Sequence, residues 1–132
     1  MGWVNVRRDQ GKLIFLDFRD ATALVQGVIL PGSEAMETGK LLREECVVAV
    51  EGNVNERPER NRKEGVVNGN VELEILHIEI LNTADVLPFP IDDTREVNES
   101  ARLKYRYLDL RSERMQRNIR KRHEVLRFVR NF

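Results

Sequence analysis

The sequence predicts a mainly β protein: a small closed sheet of five strands with one short helix between the third and fourth, then an extended linker and a C-terminal α-helix. Three observations carry this reading. Five runs of alternating or β-branched apolar residues fall within the first 82 residues, joined mostly by short turn-forming segments. Glycines interrupt the third and fourth runs, as happens where a small barrel bends or turns a corner. After Asn82 prolines and turn formers take over, and a helical pattern then runs to the last residue.

The elements follow in order. WVNVRR, residues 3–8, reads as a strand beginning almost at the first residue, and a first strand cut short in this way leaves its neighbour partly unpaired. Asp9-Gln10-Gly11-Lys12 supplies a hairpin loop into LIFLDFRD, residues 13–20. Side chains alternate along a strand, so Ile14, Leu16 and Phe18 make one apolar row, while Leu13, Phe15, Asp17 and Arg19 make the other. A turn at Arg19–Thr22 leads into ALVQGVIL, with Leu24, Gln26, Val28 and Leu30 on one face and Val25, Gly27 and Ile29 on the other. Pro31-Gly32 ends that strand. Ser33 then caps a short helix whose apolar positions, Met36, Leu41 and Leu42, are loosely spaced around Gly39. CVVAVEGNVNE is the fourth strand, a polar loop spans Pro58–Asn70, and VELEILHIEIL from Val71 to Leu81 is the fifth. Three strands, a helix and two strands match the OB-fold, a Greek-key barrel whose strand 2–3 face and adjoining loops bind oligonucleotides or oligosaccharides. The expected division is a barrel over 1–82, a linker or hinge over 83–111, and a helix from 112 to 132. Ser112 is its N-cap, and Met115, Ile119, Leu126 and Val129 form one apolar stripe. That stripe has no partner in this sequence, which implies that the helix opens a further unit.

Composition narrows the function classes. At 41% apolar and 33% charged, the chain suits a soluble folded domain rather than a disordered one. Cys46 is alone, so there is no disulfide framework, and its place in CVVAV predicts a buried thiol. No apolar run approaches the roughly 20 residues that span a bilayer, and Val6 stands where a myristoylation signal wants Ser or Thr. No membrane partner is expected. Net charge is zero, but residues 1–110 carry 14 basic and 20 acidic side chains while residues 111–132 carry 8 and 2. A neutral total argues against indiscriminate coating of nucleic acid and leaves room for local recognition. His77 and His123 lack companions at metal-ligand spacing, and neither a phosphate-cradling glycine loop nor a nucleophile–base pair is present. No metal or catalytic residue is expected, and the residues describe a binding domain.

The outer rows of strands two, three and five combine the ring of Phe15, the amide of Gln26 and the carboxylates of Glu72 and Glu74. An amide both donates and accepts, a carboxylate accepts from exocyclic amines, and a ring stacks unpaired bases. Arg7, Arg8 and Arg19 are placed to meet phosphates. Each residue also has a plainer reading. Phe15 serves equally as a cross-strand packing partner, Gln26 and the glutamates as the solvated side of their strands, and Arg57, Arg60, Arg62 and Lys63 as a solvated basic loop.

GWVNVRRDQGKLIFLDFRDATALVQ closely resembles the anticodon-binding OB domain of bacterial and organellar aspartyl-tRNA synthetases. RLKYRYLDLRSERMQRNIRKRH resembles the segment leading into that family's class II catalytic domain, and LRE, VEGNV and ILN fall in register between them. The resemblance implies that Phe15 stacks on an anticodon base, Gln26 reads the central uracil, Arg8 contacts the stem-loop, Glu72 helps to read another base, and Asn61 makes a further contact. Two departures, Val6 for a third arginine and Val28 for a frequent aromatic, imply weaker binding. The resemblance further implies a tRNA partner and a cytoplasmic or organellar location. In the full-length enzyme it implies a homodimer and ATP-dependent aminoacylation with magnesium. No cofactor and no active site are expected in this stretch. Lysyl- and asparaginyl-tRNA synthetases carry similar barrels, and a general single-strand-binding OB module or a protein–protein adaptor are the other readings.

Overall fold

The computed structural model describes residues 1–91 and 93–132. The chain divides into two compact units, Met1–Asp85 and Val86–Phe132.

The first unit is a closed five-stranded barrel. Its strands are β1 (Gly2–Asp9), β2 (Ile14–Arg19), β3 (Leu24–Ile29), β4 (Val47–Glu56) and β5 (Val71–Asn82), with α1 (Ala35–Leu41) between β3 and β4. They run β1-β2-β3-β5-β4 around the barrel, all neighbours antiparallel except β3 and β5. β1 pairs with β2 along most of its length, but its seam with β4 is confined to Gly2–Val48 and Trp3–Val47. Alternation on β2 is as expected: Ile14, Leu16 and Phe18 are buried while Phe15, Asp17 and Arg19 are half-buried. These three join Val4, Ile29, Cys46, Val48, Ile75 and Ile78 in the core.

Two bulges decide which residues face inward. On β1, Val4 pairs with Phe18 but Val6 pairs with Asp17, so Asn5 is an extra residue and the alternation reverses after it. Arg8 is thereby set opposite Phe15, on the outer face. On β5, the register skips Leu76, and the core row passes from Leu73 and Ile75 to Ile78 and Ile80. β4 meets this bulge at Gly52, where a Cβ would collide with the carbonyl oxygen of Glu74.

The helix α1 corrects two expectations. Leu41 is 73% exposed, and the buried positions are Ala35, Gly39 and Leu42. Gly39 is a contact point, not slack in the pattern, because a Cβ there would run into Ile29. Ser33 is not the N-cap, which is Glu34 with no side-chain cap bond; one residue earlier, its Oγ accepts from the Ala35 N–H at 3.2 Å and donates to the Ile75 carbonyl at 3.3 Å.

The second unit departs from an extended linker. Residues 86–98 lack regular structure where described, but α2 (Glu99–Lys104) and α3 (Arg106–Asp109) follow before α4 (Glu113–Asn131). Phe89, Ile91 and Leu108 form a small core with Tyr105 against it, the Phe89 and Tyr105 rings meeting edge-on at 6.5 Å. Asp109 is wholly buried and accepts from Arg102 Nε at 2.9 Å and Arg106 Nη1 at 2.6 Å. Ser112 caps α4, its Oγ accepting from the Met115 N–H at 3.4 Å. Ile119, Leu126 and Val129 of the apolar stripe are exposed.

Gly52→Ala forces the added methyl against backbone that cannot yield, so urea unfolding should show a loss of about 1–3 kcal/mol. A second expectation concerns acid. The hydrogen bond from Arg102 holds the Asp109 carboxyl below the usual range, aided by the charges of Arg102, Arg106 and Arg114 and opposed by burial. A depressed carboxyl stabilises the fold above its unfolded value, about 3.9, and that contribution is lost as pH falls through the lower folded value. The Tyr105 ring resonances should therefore lose dispersion below about pH 4 in the native chain. In Asp109→Asn they should show no such acid transition.

Candidate nucleic-acid interface

Phe15 sits mid-sheet on β2, between Arg8 on β1 and Val28 on β3. Its neighbours in sequence, Ile14 and Leu16, are 1% and 0% exposed on the opposite face, which anchors in the core the strand that carries the ring. Gln26 lies opposite Asp17 on β3, and the parallel register Gly27–Leu73 brings the next position along, Glu72 of β5, beside it. Asn61 comes from a single 3₁₀ turn, Glu59–Asn61, in the β4–β5 connection. All five of these expected contact residues line one open hollow of about 500 Å³, together with Gln10, Arg57 and Lys63.

The chemistry of the hollow is uneven. Arg8 Nη2 donates to both oxygens of Asp17, at 2.9 and 3.1 Å, which fixes the guanidinium at the rim. Gln26, Arg57 and Glu72 make no side-chain hydrogen bond or ion pair with any described residue. Arg8, Arg57 and Lys63 line the space with Glu72, and Asp17 balances Arg8, so a small excess of positive charge sits here in a chain of zero net charge. A half-buried ring, a free amide, a free carboxylate and flanking cations suit an unpaired base with its phosphates outside.

The other expected residues lie elsewhere. Glu74 accepts from Asn55 Nδ2 at 3.0 Å and does not line the hollow. Arg7 pairs with Asp9 at 2.9 Å. Arg19 donates to Asn5 Oδ1 at 2.7 Å and to Glu45 Oε1 at 2.5 Å, and borders a separate cleft of about 220 Å³. Both arginines are thus engaged within the protein and lie outside the hollow.

Arg57 was legible only as part of a basic loop, and the structure corrects that. It is 5% exposed. No periodicity could have marked it, since it stands just past the end of β4. Among the described residues no group of three His, Cys, Asp or Glu could hold a metal ion, and no helix is long and apolar enough to cross a membrane.

Comparison with known proteins places this geometry. Residues 1–81 match the tRNA anticodon family, described as an OB-fold nucleic acid binding domain. The aspartate–tRNA(Asp/Asn) ligase of Halothermothrix orenii is 44% identical over 134 residues, taking in 100% of this chain and 23% of the relative. That of Thermodesulfovibrio yellowstonii is 47% identical over 133 residues, with 99% and 22% covered. The chain therefore spans less than a quarter of the length of these relatives. Among solved structures, asparaginyl-tRNA synthetase from Pyrococcus horikoshii complexed with asparaginyl-adenylate matches with a TM-score of 0.65 at 33% identity, over 84% of this chain and 24% of that one. The asparaginyl-tRNA synthetase of Entamoeba histolytica shares the fold at a TM-score of 0.77 and 24% identity, covering 98% of this chain and 30% of its own. The matched span takes in every side chain that lines the hollow, and the chain belongs to the tRNA anticodon family of OB-fold nucleic acid binding domains, matching the N-terminal region of aspartate–tRNA ligases.

Proposed function

We propose that this hollow receives the anticodon loop of a tRNA, with each residue in a distinct role. The central base stacks on Phe15. Its edge meets Gln26, whose amide donates to a uracil carbonyl and accepts from N3–H, a two-bond match that cytosine cannot offer in the same orientation. Glu72 and Asn61 contact a neighbouring base, and Arg8, held by Asp17 at the rim, meets a phosphate. The observation that carries this reading is the convergence of Arg8, Phe15, Gln26, Asn61 and Glu72, from five separate elements, on one hollow in which the amide and carboxylate are unpaired.

The same reading makes the chain the anticodon-recognising part of an aspartate–tRNA ligase, cytoplasmic or organellar and homodimeric when whole. ATP and magnesium belong to that whole enzyme. The described residues here offer no cluster to hold the metal, and no chemical step is assigned to them. Names such as aspartate–tRNA(Asp/Asn) ligase among the relatives fit a hollow that reads the central uracil, a feature shared by the anticodons for both amino acids.

Stacking is worth roughly 1–3 kcal/mol per base, so Phe15→Ala should weaken binding of the cognate anticodon stem-loop by about ten- to hundredfold in fluorescence anisotropy. Gln26→Ala should bind uracil- and cytosine-centred loops alike. A native chain that binds both loops equally would remove the basis of the proposal.

A further inference from the structure

We propose that Asn68–Gly69, in the connection between β4 and β5, is a self-modifying site whose deamidation loosens the loop side of the hollow. The Gly69 backbone nitrogen attacks Asn68 Cγ and gives up its proton, the Cγ–Nδ2 bond breaks, and ammonia leaves. Water then opens the succinimide ring at either carbonyl, giving aspartate or isoaspartate. Asparagine is a thermolabile residue, and a following glycine favours ring closure because no side chain crowds the attacking nitrogen. Asn68 is the one asparagine of the chain that glycine follows.

The fold calls for this pair. Asn68 has a φ of 61°, a left-handed backbone that asparagine tolerates better than most side chains do. Gly69 has no room for a side chain, since a Cβ there would collide with the Lys63 carbonyl oxygen. Two ties hold the reacting groups in check: Asn68 Nδ2 donates to the Leu24 carbonyl at 3.1 Å, and the Gly69 N–H donates to the Val66 carbonyl at 2.9 Å. Asn68 is exposed, so water reaches the ring once it forms. The reaction therefore proceeds from the opened loop, and its product opposes closing again. A carboxylate has no hydrogen to donate and turns negative charge on the Leu24 carbonyl. Isoaspartate also routes the main chain through Cγ, which lengthens it by one carbon beside Gly69. The Gly69 carbonyl accepts from the Lys63 N–H at 3.0 Å, and Lys63 lines the hollow. Only this last link, from loop to hollow, rests on the anticodon reading above.

The test incubates the full 132-residue chain in mildly alkaline buffer and maps its peptides by mass spectrometry, with isoaspartate labelled by protein isoaspartyl methyltransferase. Conversion is expected at Asn68 ahead of every other asparagine, and faster in urea too dilute to unfold the barrel, because local opening releases the two ties. The converted chain, separated by ion exchange, should bind the cognate anticodon stem-loop about two- to fivefold more weakly than the fresh chain. Asn68→Gly suits the left-handed backbone and cannot form the ring, so its affinity should be the same before and after incubation. Conversion first at another asparagine overturns the proposal. So does an unchanged Asn68 under conditions that convert a free peptide of residues 63–71. A converted chain that binds as tightly as the fresh one overturns the link to the hollow. If the fresh chain binds uracil- and cytosine-centred loops alike, the anticodon reading fails while the mass readout still decides the deamidation.

Discussion

The short parallel seam between β3 and β5 is the constraint on which the rest of this barrel depends. It consists of two paired positions, Gly27–Leu73 and Val28–Glu74. Gly27 permits it. A Cβ there would lie 2.7 Å from Ile75 Cδ1 and 2.8 Å from Phe18 Cε2, so a side chain at this position would force those two core side chains to shift beside the seam. Function depends on the same closure. Phe15 and Gln26 belong to one hairpin, whereas Arg57, Asn61 and Glu72 belong to the β4–β5 half. Without the seam these groups would lie on separate edges, and no hollow would form.

Irregularities in the strands, more than their regular parts, aim the side chains. The extra residue at Asn5 turns Arg8 to the outer face, where its pairing with Phe15 and Asp17 begins. That bulge is itself held, since Asn5 Oδ1 accepts from Arg19 and Arg19 is anchored on Glu45. Arg19 thus contributes to the interface from a distance, by fixing the kink that presents Arg8. Arg19 therefore braces, from within the protein, a residue that meets a phosphate in the proposed reading.

Much of this was legible in the sequence because the barrel rests on period-two alternation. Ile14, Leu16 and Phe18 announce their inward row, and Phe15 stands out because it breaks the polar one. Two kinds of information were not carried by that pattern. Bulges reverse the alternation, and the only trace of the one in β5 is the change from Leu73 and Ile75 to Ile78 and Ile80 within VELEILHIEIL. Close approaches also escape a pattern of apolar residues, which is why Gly39 looked like slack while it marks where α1 rests on Ile29. Likewise α2 and α3 are too short for a helical period to show, and their stability comes from the buried Asp109 with its arginines, a tertiary arrangement.

The contrast between Asp109 and the hollow separates structural polarity from functional polarity. Around Asp109 the charges are matched, and the group serves the fold by being satisfied. In the hollow Gln26, Arg57 and Glu72 are left without partners on the protein, although a carboxylate and a guanidinium line the same space. Collapse of that pair into an ion bridge would quench both. Their backbones are held: Glu72 lies between Val71 and Leu73 in the paired part of β5, and Arg57 is tied by hydrogen bonds to Asn70 and Arg62. Donors and acceptors that line one space without pairing to each other are complementary to a planar ligand that presents both, as the edge of a nucleobase does.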